Sequence, residues 1–203
     1  ATVRFDVDIA LIELEHAVSF TNYIQPICLW PSNSDPSSVK GIVVGYGFSE
    51  KSGIHHEKLP KVIELPIHTQ EHCFIEKPQL AEISSLRTFC AGSGDGSGVC
   101  NGDSGGGLFI KVNNVYYLRG IVSASLLFGD QCDVYNYAIF TNVLKFSDWI
   151  KSKMNLAGIS QQTTTTSPKP NYEECGVMSS STGLIHGGKF STLKDFPWVA
   201  LII

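Results

Sequence analysis

Residues 98–107 read Gly-Val-Cys-Asn-Gly-Asp-Ser-Gly-Gly-Gly, and this stretch is the most informative part of the chain. Its serine, Ser104, follows an aspartate and is surrounded by glycines. Glycine permits backbone dihedral angles that other residues resist, so neighbouring N–H groups can converge on one point. Convergent donors of this kind stabilise the oxyanion that develops in acyl transfer. The stretch therefore predicts a nucleophilic serine on a tight turn.

This stretch resembles the nucleophile loop of the trypsin/chymotrypsin-like serine proteases, whose usual pattern is Gly-Asp-Ser-Gly-Gly. Residues 8–11 read Asp-Ile-Ala-Leu and resemble the segment that carries the acid of that family's catalytic triad. The resemblance implies that Ser104 is the nucleophile and that Asp8 orients a histidine base. It also implies an oxyanion hole formed by the backbone N–H groups of Gly102 and Ser104.

The sequence lacks a recognisable general base for this reaction. In the family the histidine precedes the aspartate in an Ala-Ala-His-Cys context, and none of the six histidines has that context. We therefore expect the histidine to lie before Ala1 and predict that these 203 residues alone do not hydrolyse peptides. In the family, the aspartate at the position of Asp103 pairs with a newly cut N-terminal amine. We expect that amine upstream as well, which leaves Asp103 unpaired in this chain.

The resemblance also indicates the substrate pocket. Six residues before the nucleophile, where trypsin-like members carry an aspartate, this chain has Gly98. The segment that pairs with substrate reads Ser123, Ala124 and Ser125 instead of the usual Ser-Trp-Gly, and Ala138 occupies a wall position. Without a buried anion, a cationic side chain would lose its hydration uncompensated. We expect a preference for small or medium apolar side chains over basic ones.

Six cysteines without a Cys-x-x-Cys pair favour disulfides over a zinc site and indicate an oxidising compartment. Their spacing alone leaves the pairing open, since six cysteines allow fifteen arrangements, and scattered buried thiols are the alternative. The resemblance implies two bonds that brace the pocket: Cys73 with Cys90, and Cys100 with Cys132. It also makes Cys28 the cysteine that ties the catalytic domain to its pro-segment, and Cys175 a pro-segment cysteine of a following domain. Their partners are expected upstream and downstream, so both are expected to be unpaired in this chain unless truncation forces them together.

The apolar pattern of residues 1–155 is typical of short strands separated by turns. Apolar runs occur at residues 9–14, 41–46, 108–112, 116–123 and 137–143. Helices are predicted at residues 144–155 and 69–76. The pattern indicates an all-β barrel or sandwich. The resemblance specifies an incomplete chymotrypsin-like double β-barrel, with the end of the first barrel, a complete second barrel and a C-terminal helix.

Composition changes after residue 155. Residues 156–174 contain a Thr/Pro-rich stretch without apolar periodicity and are predicted to be an exposed linker. Residues 175–203 resemble the start of a second protease domain, because residues 185–188 read Ile-His-Gly-Gly where the family usually has Ile-Val-Gly-Gly. Leu184 precedes that segment, so a trypsin-like activator would not cut there. The apolar run 196–202 is expected to be a first strand that lacks a partner.

Charge and hydropathy narrow the possible functions. The net charge of −4 does not favour nucleic acid, and no apolar run has membrane-spanning length.

His68 and His72 form a His-x-x-Glu-His pattern found in some zinc peptidases. A surface turn with solvated histidines is the preferred interpretation, since no third ligand is evident. We expect neither a metal nor another cofactor, and a zinc hydrolase remains a third alternative.

The resemblance thus implies a serine endopeptidase that is a secreted, extracellular zymogen of a proteolytic cascade, such as those of arthropod immunity. Its expected partners are protein substrates, an upstream activating protease and serpin-type inhibitors, and not nucleic acid or membranes. The alternative is a non-catalytic homologue that acts as a binding scaffold.

Overall fold

The computed structural model describes residues 5–30, 39–47, 59–129, 131–156, 175–177, 189–190 and 195–199. The strands are β1 (Cys28–Leu29), β2 (Lys40–Gly45), β3 (Lys61–His68), β4 (Thr88–Ala91), β5 (Gly107–Val112), β6 (Val115–Ala124), β7 (Leu127–Phe128), β8 (Gln131–Cys132), β9 (Ala138–Asn142) and β10 (Lys189–Phe190). The helices are α1 (Gln70–Glu76), α2 (Leu80–Ile83) and α3 (Ser147–Leu156), with a 3-10 turn at Val143–Phe146 before α3.

Six of these strands close into an antiparallel barrel. Their order is β6-β5-β2-β3-β4-β9, and β9 pairs back to β6. Closure leaves none of the six strands with an unpaired edge along its whole length. The all-β fold with a complete barrel and a C-terminal helix, expected from the sequence, is confirmed.

The barrel interior is filled by apolar side chains that alternate along the strands. Val43, Leu65, Leu108 and Phe140 are each at most 3% exposed. The residues opposite one another on β2 and β3, such as Val43 and Ile63, share this interior face. At the Gly45 end of the β2–β3 ladder, this face reaches Asp103, next to the candidate nucleophile.

Both predicted helices form close to the expected residues. The first begins after Thr69, whose hydroxyl accepts a hydrogen bond from the backbone N–H of His72 and so caps the helix. The second predicted helix corresponds to the 3-10 turn and α3, which bury Phe146 and Ile150. Among the described helices, none combines the length and the apolar character that crossing a bilayer requires.

The strand expected at residues 9–14 is absent, and that prediction was wrong. This segment has no regular secondary structure and no ladder partner among the described residues. Leu11, Ile12 and Leu14 are accordingly 47%, 71% and 60% exposed. An apolar run forms a strand only where a neighbouring strand supplies hydrogen-bond partners for its backbone.

Cys28 and Cys175 are bonded to each other, which corrects the expectation that both are unpaired. The chain around Cys175 lies beside the residues just before β1 and the start of β6. The N–H of Gly176 donates to the carbonyl of Pro26 (2.8 Å), and the N–H of Tyr116 donates to the carbonyl of Gly176 (2.9 Å). These bonds hold the two Cα atoms 5.0 Å apart, within disulfide range.

The apolar run after residue 195 also packs against the barrel, contrary to the expectation that it lacks a partner. Phe196 is 5% exposed and lies 5.9 Å from the ring of Tyr116. Trp198 contacts the same ring at 5.2 Å. The strand β10 pairs antiparallel with β3, with Phe190 opposite Lys61. We call the described residues 175–177, 189–190 and 195–199 the tail.

Candidate active site

Ser104 lies on an exposed turn whose shape depends on glycine. Gly102 and Gly105 have φ angles of +91° and +82°, a region that other residues rarely adopt. The N–H of Asp103 donates to the carbonyl of Cys100 (3.0 Å), and the N–H of Gly106 donates to that of Asp103 (2.9 Å). These bonds close two successive turns around the serine, which is the conformation that the sequence pattern indicated.

Val122 of β6 holds this turn in place. The N–H of Gly105 donates to the carbonyl of Val122 (2.9 Å), and the N–H of Val122 donates to the carbonyl of Gly106 (2.8 Å). Both the N–H and the carbonyl of Val122 are therefore hydrogen-bonded to the serine loop. The serine is held by the barrel itself and does not depend on the loop alone for its position.

Asp8 is attached to the next residue of the same strand. The hydroxyl of Ser123 donates to Asp8 Oδ2 at 2.6 Å. The hydroxyl of Thr141, on β9, donates to the backbone carbonyl of Asp8 at 2.8 Å. Consecutive residues of β6 thus bind the serine loop and the aspartate, so the two candidate triad residues are attached to the same part of the barrel. The Asp8 carboxylate is otherwise exposed.

Asp103 is hydrogen-bonded within this chain, although neither of its two backbone donors is the N-terminal amine that the resemblance implied. Its Oδ1 accepts the N–H of Gly47 and its Oδ2 accepts the N–H of Cys100, both at 3.0 Å. A Cβ at Gly45 or Gly47 would collide with this carboxylate, so the chain there is shaped around it. Burial raises the pKa of Asp103 above its usual value, while the two backbone donors and the charge of Lys61 oppose that rise.

A small cavity lies beside the serine loop and contains about 220 Å³ of space, including space open to solvent. Three predicted pocket residues, Gly98, Ser125 and Ala138, line it. Ser123 and Ala124 do not. Ser123 binds Asp8, and Ala124 packs against the Cys73–Cys90 cluster.

The cavity is narrow because Val134 stands against Gly98. A Cβ added to Gly98 would lie 3.3 Å from Val134 Cβ and Cγ1. Two polar residues that sequence reasoning missed, Asp133 and Asn136, also line the cavity. Asp133 accepts the N–H of Tyr135 (3.2 Å) and the side-chain amide of Asn136. An aspartate two residues before its N–H donor is typical of an Asx turn, the signal that could have identified this wall.

Two disulfides brace the site in the pairing that the resemblance implied. Cys100 is bonded to Cys132, which joins the serine loop to the cavity wall. Cys73 is bonded to Cys90, which joins α1 to β4. The first bond connects the serine loop to β8, and the second connects α1 to the barrel strand β4.

His68 and His72 do not share a helix face, because α1 begins at Gln70 and His68 ends β3. Their rings stack at 4.7 Å. His68 Nε2 donates to the carbonyl of Gly92 (2.9 Å), and His72 Nε2 is hydrogen-bonded to the hydroxyl of Tyr137 (3.3 Å). Within the part of the chain that the structure describes, no group of three or more His, Cys, Asp or Glu residues is placed to hold a metal ion.

Comparison with known proteins assigns a family to this arrangement. Residues 2–150 match the family described as Trypsin. Serine protease gd of Drosophila melanogaster is 34% identical over 180 residues, which cover 72% of this chain and 34% of that protein. CLIP domain-containing serine protease B10 of Anopheles gambiae is 32% identical (72% of this chain, 39% of that protein). Phenoloxidase-activating factor 3 of Holotrichia diomphalia is 34% identical (73% and 42%).

The chain thus spans 34% to 42% of the length of these three relatives. The family match covers most of the chain, including the serine loop, Asp8 and the whole barrel. This chain belongs to the trypsin family.

Proposed function

We propose that this chain carries the nucleophile and the acid of a serine endopeptidase that cleaves proteins through an acyl-enzyme. Ser104 attacks the scissile carbonyl, and a histidine from outside this chain takes its proton and later gives it to the leaving amine. Asp8 orients that histidine. The backbone N–H groups of Gly102 and Ser104 stabilise the oxyanion.

The observation that carries this proposal is the use of two consecutive β6 residues to bind the two triad groups. Val122 binds the serine loop through its backbone, and Ser123 binds Asp8 through its hydroxyl. A triad needs its members within hydrogen-bond reach of one imidazole. Anchoring both to adjacent residues of one strand supports such an arrangement.

The proposed substrate preference is for small or medium apolar side chains. Val134 narrows the cavity beside Gly98, and Ala138 is 6% exposed at its wall. The carboxylate of Asp133 is already hydrogen-bonded by Tyr135 and Asn136. A peptide library cleaved by the full-length protein tests this, with V134G as the variant that widens the cavity. Cleavage after Arg or Lys by the unmodified protein would overturn it.

The proposed setting is a secreted zymogen in an extracellular cascade. Disulfides among all six cysteines support an oxidising compartment. Relatives bear names such as phenoloxidase-activating factor and CLIP domain-containing serine protease. We propose that its partners are an activating protease, protein substrates and serpin-type inhibitors. We also propose that residues 156–174 are a linker and that residues 175–203 begin a second protease-like domain.

A fluorophosphonate probe, which reacts with activated serines, tests the proposed chemistry. The activated full-length protein should be labelled at Ser104, and S104A should not be labelled. D8N should react more slowly by a factor on the order of 10⁴, because the histidine loses its orienting acid. S152A, which removes an exposed hydroxyl on α3, is the matched control. Absence of labelling in the activated protein would favour the non-catalytic homologue instead.

The same probe applied to the 203-residue chain tests the missing base. We expect no labelling of this chain, because it supplies no imidazole in the family's context. Labelling at the rate of the full-length protein would show that a histidine of this chain acts as the base.

A further inference from the structure

Asp103 occupies a position that needs a cation, and the structure places a lysine on the same face. Its carboxylate is half-buried and lies directly against Gly45 and Gly47 at the end of β2. The neighbouring N–H groups of Gly47 and Cys100 satisfy hydrogen bonds but do not neutralise the charge. A partly buried carboxylate without a counter-ion is costly.

The register of β2 and β3 sets Lys61 on the same face as Asp103. Gly45 lies opposite Lys61 in the antiparallel ladder. Residues directly opposite each other project to the same face of a sheet. A Cβ on Gly45 would collide with Asp103 Oδ1, so this face is the one that the carboxylate occupies. The Lys61 side chain therefore leaves β3 on the side of Asp103.

Alternation along the ladder supports the same assignment. Two and four residues further along, the opposed pairs are Val43 with Ile63 and Gly41 with Leu65. Val43 and Leu65 are 3% and 0% exposed and belong to the barrel interior. Lys61 thus stands at the open end of the interior face. The neighbouring Phe190 of β10 pairs with its backbone, which fixes the strand at this point.

We propose that Lys61 is a positioning residue for the serine loop: its ammonium is the counter-ion of Asp103 and holds the loop without a newly cut N-terminal amine. This inference rests on the proposed function, in which Ser104 is the nucleophile. The charge of Lys61 favours the ionised form of Asp103, in line with this role.

Amide hydrogen exchange of the 203-residue chain, followed by NMR, tests this without any need for catalysis. The reporters are the N–H groups of Gly47 and Cys100, because they donate to the two oxygens of Asp103. In K61Q we expect both to exchange about tenfold faster, since losing one partner of a partly buried pair loosens the other. In K61R, which keeps the charge, exchange should stay within about twofold of the unmodified chain.

K40Q is the matched control. Lys40 lies at the other end of the same ladder, where its ammonium is 3.6 Å from Glu64 and exposed to solvent. Its removal should leave both reporters unchanged, and exchange at Phe140 in β9 checks that each variant is folded. Should K61Q not fold, K61M gives the same comparison while keeping an unbranched apolar side chain.

The proposal is overturned if K61Q leaves both reporters unchanged, or if K61R accelerates them as much as K61Q does. A full-length protein that never hydrolyses peptides would remove the proposed function. The exchange result would still decide the role of Lys61, so the two failures are distinguishable.

Discussion

The hydroxyl of Ser123 donates a 2.6 Å hydrogen bond to Asp8 Oδ2 across 115 residues of sequence. Asp8 lies in a segment that forms no strand among the described residues, so side-chain bonds must position it. Thr141 binds its carbonyl, and Ser123 binds its carboxylate. The proposed acid is thereby attached to the barrel that also carries the proposed nucleophile.

Removal of this hydroxyl should weaken catalysis more than binding. In the full-length protein we expect S123A to lower kcat roughly tenfold to a hundredfold, because a hydrogen bond to a charged group contributes about 1.5–3 kcal/mol. KM should change little. Steady-state kinetics with a peptide substrate measure this, with S152A as the control. An unchanged kcat in S123A would mean that the bond does not orient the acid.

The raised pKa of Asp103 predicts how stability depends on pH. A carboxyl whose pKa in the folded state exceeds its ordinary value of 3.8 binds a proton more tightly when folded. Its contribution to the free energy of unfolding is therefore present below that value and is lost as pH rises through the folded pKa. The difference in free energy of unfolding between the unmodified chain and D103N should fall as pH rises from 3.8 through the folded-state pKa of Asp103. Denaturant unfolding at several pH values measures the difference, and a rise would contradict the assigned direction.

The Cys28–Cys175 bond should contribute substantially to stability, because it closes a long loop of the chain. We expect C175S to lower the free energy of unfolding by about 2–5 kcal/mol. C28S should cost the same, and the double variant should cost no more than either single one. Urea unfolding with mass analysis of the cysteines measures these values. Full additivity would indicate that the two cysteines are not bonded to each other.

The aromatic contacts of the tail predict a second loss of stability. Phe196 is 5% exposed against Tyr116, so F196A should lower the free energy of unfolding by about 3 kcal/mol. F128A is the matched control, since Phe128 is 81% exposed, and its effect should be within about 0.5 kcal/mol. Equal effects of the two substitutions would show that the tail does not pack on the barrel in solution.

Local patterns predicted much of the barrel. Alternating apolar runs identified β2, β5, β6 and β9, and the helical spacing of Phe146 and Ile150 identified the end of the domain. The strand β3 was missed because it contains Pro66, which lacks an N–H group and reads as a turn residue. The strand β4 has only four residues, too few for a periodic signal.

Long-range partners account for the remaining errors. Whether residues 9–14 form a strand depends on a neighbour that the local sequence does not specify. The partners of Cys28 and Asp103 likewise depend on which distant segments lie beside them. The serine loop was predictable because its chemistry is contained in ten consecutive residues. The register that sets Lys61 opposite Gly45 is visible only in the folded ladder.

The most direct test of the central claim is a crystal structure of the activated full-length protein. We predict one imidazole hydrogen-bonded to both Ser104 Oγ and Asp8, with Ser123 still bound to the same carboxylate. A structure in which Ser104 and Asp8 are not bridged by a histidine would contradict the account.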